Sequence, residues 1–137
     1  MGWKKLTRKK QEISLIAPDL FSEIFKQTID DMKSLGTYKV EFSPTITRYA
    51  EMRIQYKMLM GKWYESGCTI AEDYTNKAGA TNARKTAIYL ALETLRSDLT
   101  NLENILGLTP VGLKKINDKS INAKKESTLA KALSKIE

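Results

Sequence analysis

The apolar residues of this chain fall into two long, matched seams. Tyr49, Met52, Tyr56, Leu59 and Trp63 are spaced 3, 4, 3, 4, and Ile88, Leu92, Leu95, Leu99, Leu102 and Leu106 are spaced 4, 3, 4, 3, 4. A repeat averaging 3.5 residues belongs to a helix packed along its length against another helix. The pattern predicts two long helices folded back on each other as an antiparallel hairpin. A shorter amphipathic stretch precedes them. Phe21, Ile24, Phe25, Thr28, Ile29, Met32 and Leu35 share one face of a helix predicted over 18–35. Pro18 suits its start and Gly36 its end.

The intervening segments are read from their turn chemistry. Tyr38, Val40 and Phe42 alternate with Lys39 and Glu41, which fits either a short strand or a loop laying three side chains on the core. Ser43-Pro44 supplies a cap followed by Pro in the first turn, so the second helix is predicted over 44–66. Asn76-Lys77-Ala78-Gly79 reads as a tight turn inside 67–83, predicting a small β-hairpin or an ordered loop. The third helix is predicted over 82–106, capped by Asn82 and stopped by Gly107. Thr109-Pro110 restarts a short fourth helix through Asn117. The expected architecture is all-α. It has a basic flexible arm over 1–17, a helical oligomerisation core over 18–117 and a basic flexible tail over 118–137.

Surface patterning points beyond a single copy. On a second face of the second helix, Ala50, Ile54, Met58, Gly61 and Tyr64 form another small or apolar line, and Ala83, Ala87 and Leu90 lie off the seam of the third. A hairpin with one short partner helix leaves part of this surface uncovered, and such patches on soluble chains usually meet another protein. Self-association is therefore expected. The alternative is a monomeric bundle whose first helix covers everything.

Charge adds a partner class. The 137 residues hold 23 Lys and Arg against 16 Asp and Glu, a net charge of +7. The excess sits at the ends. Lys4, Lys5, Arg8, Lys9 and Lys10 face no acid within 1–11, and seven lysines lie within 111–137. Basic arms on a near-neutral body are built to reach a polyanion, with Trp3 available to stack on bases. Lys77, Arg84 and Lys85 form a second cluster at one end of the hairpin, and Lys114 and Lys115 a third; all ten cations are candidate DNA contacts. Solubility alone would also explain terminal lysines. A helix-turn-helix needs two short helices and a tight turn, which 18–35 does not offer.

Catalytic chemistry finds no foothold. Histidine is absent and Cys68 is the single cysteine, which removes the common general base, a zinc site and a Cys–His dyad. Neither Gly79 nor Gly107 sits in a phosphate-binding glycine motif. Glu72-Asp73 is the best acidic pair and reads as a solvated turn. No catalytic residue, metal or cofactor is expected, and the chain is not expected to be an enzyme. One cysteine suits a reducing compartment, and no apolar run is long enough for a membrane span. A soluble, cytoplasmic protein is expected.

The order of the segments resembles a known family. An amphipathic helix ending in LG is followed by the helix SPTITRYAEMRIQYKMLMGKWYESG, then a loop YTNKAGATN. A leucine-rich helix then closes in LENILGLTPVGLKKI. This is similar to the small terminase subunits of tailed bacteriophages, in the group with a GLTP box (Gly107 to Pro110) after the long third helix. The resemblance covers about 18–117. It implies the DNA-recognition and regulatory part of a genome-packaging motor in the host cell cytoplasm. It implies a ring homo-oligomer that engages viral double-stranded DNA, recruits the large terminase subunit and modulates that subunit's ATPase and nuclease. The resemblance places large-subunit contact in the C-terminal tail. Members often carry an arginine just after the box, where this chain has Val111-Gly112. Two further readings stand beside it: a small dimeric helical DNA-binding regulator, and a structural adaptor without a nucleic-acid role.

Overall fold

The structure, a computed structural model, describes residues 18–136. Its elements in order are α1 (Pro18–Leu35), a 3-10 turn (Val40–Phe42), α2 (Ser43–Glu65), β1 (Ala71–Thr75), β2 (Thr81–Lys85), α3 (Ala87–Leu106) and α4 (Pro110–Leu133). The chain is mostly helical, with one two-stranded antiparallel sheet between α2 and α3.

The start of α1 and its bounds follow the sequence pattern. At its end the Thr37 amide bonds the Met32 carbonyl (2.9 Å) and the Gly36 amide bonds the Lys33 carbonyl (3.1 Å), with Gly36 at φ 74°. Those two bonds satisfy carbonyls that a helix end would otherwise leave unpaired. Gly107, at φ 72°, ends α3 by the same pair of bonds: Leu108 to Glu103 and Gly107 to Asn104.

Four local expectations are corrected. The alternating segment 38–42 is neither strand nor plain loop: Val40–Phe42 form a 3-10 turn, and Val40 is exposed because no second strand lies beside it. The Ser43 hydroxyl does not cap α2; it donates to the Val40 carbonyl at 2.8 Å. The third helix starts at Ala87 rather than 82. Its cap is Thr86, whose hydroxyl accepts from the Tyr89 amide, while Asn82 lies in β2 opposite Tyr74. The fourth helix is not short. It runs 24 residues to Leu133, because nothing after Gly112 breaks it and Lys, Ala, Glu and Leu favour helix.

The contacts between α2 and α3 run in opposite chain directions. Tyr49 donates to Glu103 Oε1 at 3.0 Å, Arg96 Nε donates to the Tyr56 hydroxyl at 3.1 Å, and the Trp63 and Tyr89 rings sit 6.2 Å apart. Each step of seven up α2 is a step of seven down α3, as matched heptads require. The helix α1 packs along α2, and the buried core lies where the three meet: Met32, Ile46, Tyr49, Leu99, Leu102 and Leu106. Leu92 is buried separately further along. Elsewhere the seam is more open: Met52 and Tyr56, packed against the core, are half-buried, as are Leu59, Trp63, Ile88 and Leu95.

One polar group ties the core together. Thr37, 7% exposed, donates to the Leu106 carbonyl at 3.2 Å and so fastens the end of α1 to the end of α3. The α3–α4 corner is closer still. Thr109 caps α4 by accepting from the Gly112 amide at 3.0 Å, and its hydroxyl bonds the Asn104 side chain. Gly112 itself is pressed against the Asn104 backbone.

Candidate nucleic-acid interface

The basic residues of the N-terminal arm, Lys4, Lys5, Arg8, Lys9 and Lys10, and Trp3 with them, lie outside the described residues. The remaining candidates fall at two separate places, the β-hairpin and α4.

On the hairpin Arg84 and Lys85 are engaged with nearby groups. The register sets Glu72 opposite Arg84, and Arg84 Nε meets Glu72 Oε1 at 3.0 Å while its guanidinium lies 4.1 Å from the centre of the Tyr74 ring. Lys85 Nζ bonds both oxygens of Glu93, at 2.8 and 3.0 Å. The hydrogen bond to Glu93 and its charge hold the Lys85 ammonium above its ordinary pKa. Lys77 sits on the exposed turn between the strands. Arg84 and Lys85 therefore belong to a strand and to ion pairs, not to a helix start. Both pairs are more than a third exposed on each side, so their contribution to stability is small.

The base of this hairpin is fixed. Trp63 Nε1 donates to the Thr69 carbonyl at 3.1 Å, the Thr86 hydroxyl donates to the same carbonyl at 3.1 Å, and the Thr86 amide donates to Ile70 at 2.9 Å. The hairpin thus leaves the end of the helix pair at a set angle.

The helix α4 is the strongest cationic element among the described residues. It carries Lys114, Lys115, Lys119, Lys124, Lys125 and Lys131 against Asp118 and Glu126. All six lysines are exposed, and among the described residues none is in an ion pair. The sequence marks Lys114 and Lys115 as candidates but predicts a flexible tail beyond them. The absence of Gly and Pro after Gly112 was the signal for one continuous helix. Along its distal half, Ile121, Thr128, Leu129 and Ala132 line a shallow apolar groove with Lys124 and Lys125 beside them.

Between α2 and α3 the polar groups are structural. Arg96 donates to Tyr56 and stands near the Tyr56 and Tyr89 rings. The hydrogen bond to Tyr56 raises its already high pKa. Burial, aided by Glu103, pushes the Tyr49 phenol up to about 12. On the flank of the helix pair, Gln55, Met58, Leu59, Lys62, Ala91, Thr94 and Leu95 line an open groove. Met58, Tyr64 and Leu90 are 54%, 62% and 49% exposed there and nearby on the same two helices. No group of three or more metal-ligating side chains occurs among the described residues, and none of their helices is long and apolar enough to cross a membrane.

A family model described as phage terminase, small subunit, matches residues 22–122. The match begins inside α1 and ends inside α4, and so takes in the whole core, the hairpin and the α3–α4 corner. No curated protein and no solved structure matches the chain.

Proposed function

The chain belongs to the family of phage terminase small subunits, and on that premise we propose that it assembles into a ring homo-oligomer that binds viral double-stranded DNA. It regulates the large terminase subunit during genome packaging in the host cytoplasm. The role is recognition and regulation, with no reaction, metal or cofactor of its own. The observation that carries the reading is the family match over 22–122. The exposed apolar flank of α2 and α3 supports self-association, since Met58, Tyr64 and Leu90 stand uncovered by the described residues. The exposed lysines of α4 support polyanion binding, because each phosphate neutralised releases counterions. In this reading the helix pair forms the ring wall, with Tyr56, Trp63, Leu95, Leu99 and Leu102 as its anchors. The N-terminal arm and α4 reach the DNA.

Native mass spectrometry of the full chain, alone and with short duplex DNA, tests the proposal. A single closed assembly of more than two copies that takes up duplex is the expected result. A spectrum of dimers alone at micromolar concentration replaces the ring with the dimeric DNA-binding regulator, and duplex-free assemblies at low salt remove the DNA role.

A further inference from the structure

Two strands alone make a marginal sheet, since each strand satisfies only half of its backbone groups. The hairpin of β1 and β2 is such a case: all ten strand residues are exposed, and neither strand contains the proline that natural edges use for protection. Its hydrogen-bond phase can be fixed. The Asn76 amide donates to Ala80 and the Thr86 amide to Ile70, both at 2.9 Å, in register with the pairs from Ala71↔Lys85 to Thr75↔Thr81. Bonded and non-bonded pairs alternate in an antiparallel ladder. Residues 72, 74, 82 and 84 therefore point their backbone groups inward. The outward groups belong to Ala71, Asp73 and Thr75 on one edge and to Thr81, Ala83 and Lys85 on the other. Four of these six side chains are Ala or Thr, too small to block an approaching strand.

The two edges differ in charge. β1 holds Glu72 and Asp73 and no base, while β2 holds Arg84 and Lys85 and no acid. Pairing β1 with β1 in full overlap sets Asp73 against Asp73, which is destabilising, and pairing β2 with β2 gathers Arg84 and Lys85 of both copies on one sheet with no strand carboxylate to meet them. Pairing β2 of one copy with β1 of the next repeats the opposition already seen within the hairpin, where Glu72 meets Arg84 at 3.0 Å. We propose that the hairpin joins copies of this chain head to tail, the basic β2 edge of one copy adding to the acidic β1 edge of its neighbour as an antiparallel sheet. The contact uses two different surfaces. It is therefore heterologous and propagates around a ring instead of closing a dimer. The fixed hairpin base, held by Trp63 and Thr86, presents both edges at the same height on every copy. This inference rests on the ring assembly proposed above and names a surface that builds it.

The test uses the full chain in a Cys68→Ser background. Thr75→Cys copies and Thr81→Cys copies are mixed in denaturant, refolded together and treated with a short bismaleimide; crosslinks are read by mass spectrometry beside native spectra. Mixed 75–81 crosslinks between copies should exceed 75–75 and 81–81 links several-fold. They should be lost when the Thr81→Cys copy also carries Ala83→Pro, which removes only an outward-facing N–H and leaves the hairpin's own bonds intact. Like-to-like links in excess overturn the inference, as do mixed links that survive Ala83→Pro undiminished. Native oligomers without any hairpin crosslink overturn it while leaving the ring standing. Spectra showing only monomers remove the ring itself, and the inference with it.

Discussion

Replacing Gly112 by alanine places one methyl group where the α3–α4 corner has no room. The added Cβ would lie 2.2 Å from the Asn104 carbonyl oxygen and 2.8 Å from both its C and Cα. Ordinary contact begins more than 1 Å further out, and the obstacle is backbone, which cannot swing aside as a side chain would. The helix α4 must move off α3. Forced overpacking costs about 1–3 kcal/mol, sometimes more. The shift also pulls on the bond from the Gly112 amide to Thr109 Oγ1, a cap interaction worth about 1 kcal/mol. Against this stands about 1 kcal/mol gained by alanine over glycine inside a helix. The net expectation is a loss of about 1–3 kcal/mol. At about 3–6 °C per kcal/mol for a chain of this length, the melting midpoint followed by circular dichroism should fall by about 3–18 °C. Hydrogen exchange should also accelerate over 110–117. Gly61→Ala is the control within one copy: its Cβ meets nothing within 4 Å, so the propensity gain should raise the midpoint of the unassembled chain. A Gly112→Ala chain as stable as its parent would refute the reasoning. The collision also accounts for glycine at 112, where a side chain has no room, whereas the neighbouring Val111 is exposed.

Leu99→Asp buries an unpaired charge at a site 8% exposed, and a loss of several kcal/mol should abolish assembly and most helical signal; retained ellipticity refutes the placement. The raised Tyr49 pKa makes stability depend on alkaline pH. The neutral phenol is favoured in the fold, so the contribution is complete below the unfolded value near 10 and is lost as pH climbs toward about 12. By pH 11 the parent should lose about 1 kcal/mol relative to Tyr49→Phe; parallel stability curves for the two chains from pH 9 to 11 contradict this. Deleting residues 2–10 should flatten the salt dependence of duplex binding. About four phosphate contacts correspond to a log–log slope near −3.6, and an unchanged slope after deletion assigns the contacts to α4 instead.

Where a single segment decides its own conformation, the sequence was legible. One-face apolar spacing with the Pro18 and Gly36 signals marks α1, and the heptad seams with their flanking turn residues give α2 to within a residue and the end of α3 at Gly107. The misses are places where a distant or neighbouring group decides. Thr81–Lys85 has no strand-like alternation; it is a strand because β1 supplies the other half of a ladder, and this moves the cap from Asn82 to Thr86. Val40–Phe42 does alternate, yet no strand lies next to it, so the period carries no structure. The polar composition of the distal half of α4 predicts a tail, although polarity and helicity are compatible on a solvent-exposed rod. For the candidate interface, charge alone located Arg84 and Lys85. It could not reveal that Glu72 and Glu93 lie within reach, because those contacts exist only after folding.

The helix α4 touches the rest of the chain near its first turns, where Gly112 is buried and Leu113 and Ile116 are half-buried; from Asn117 onward every residue described is exposed. It is a lever whose fulcrum is a single tight corner. A helix of 24 residues spans about 36 Å, so a tilt of about 10° at the fulcrum would sweep the free tip through about 6 Å, roughly one helical turn. Small adjustments beside Asn104 are thereby geared up at the far end, and whatever grips that end has the mechanical advantage needed to reset the joint.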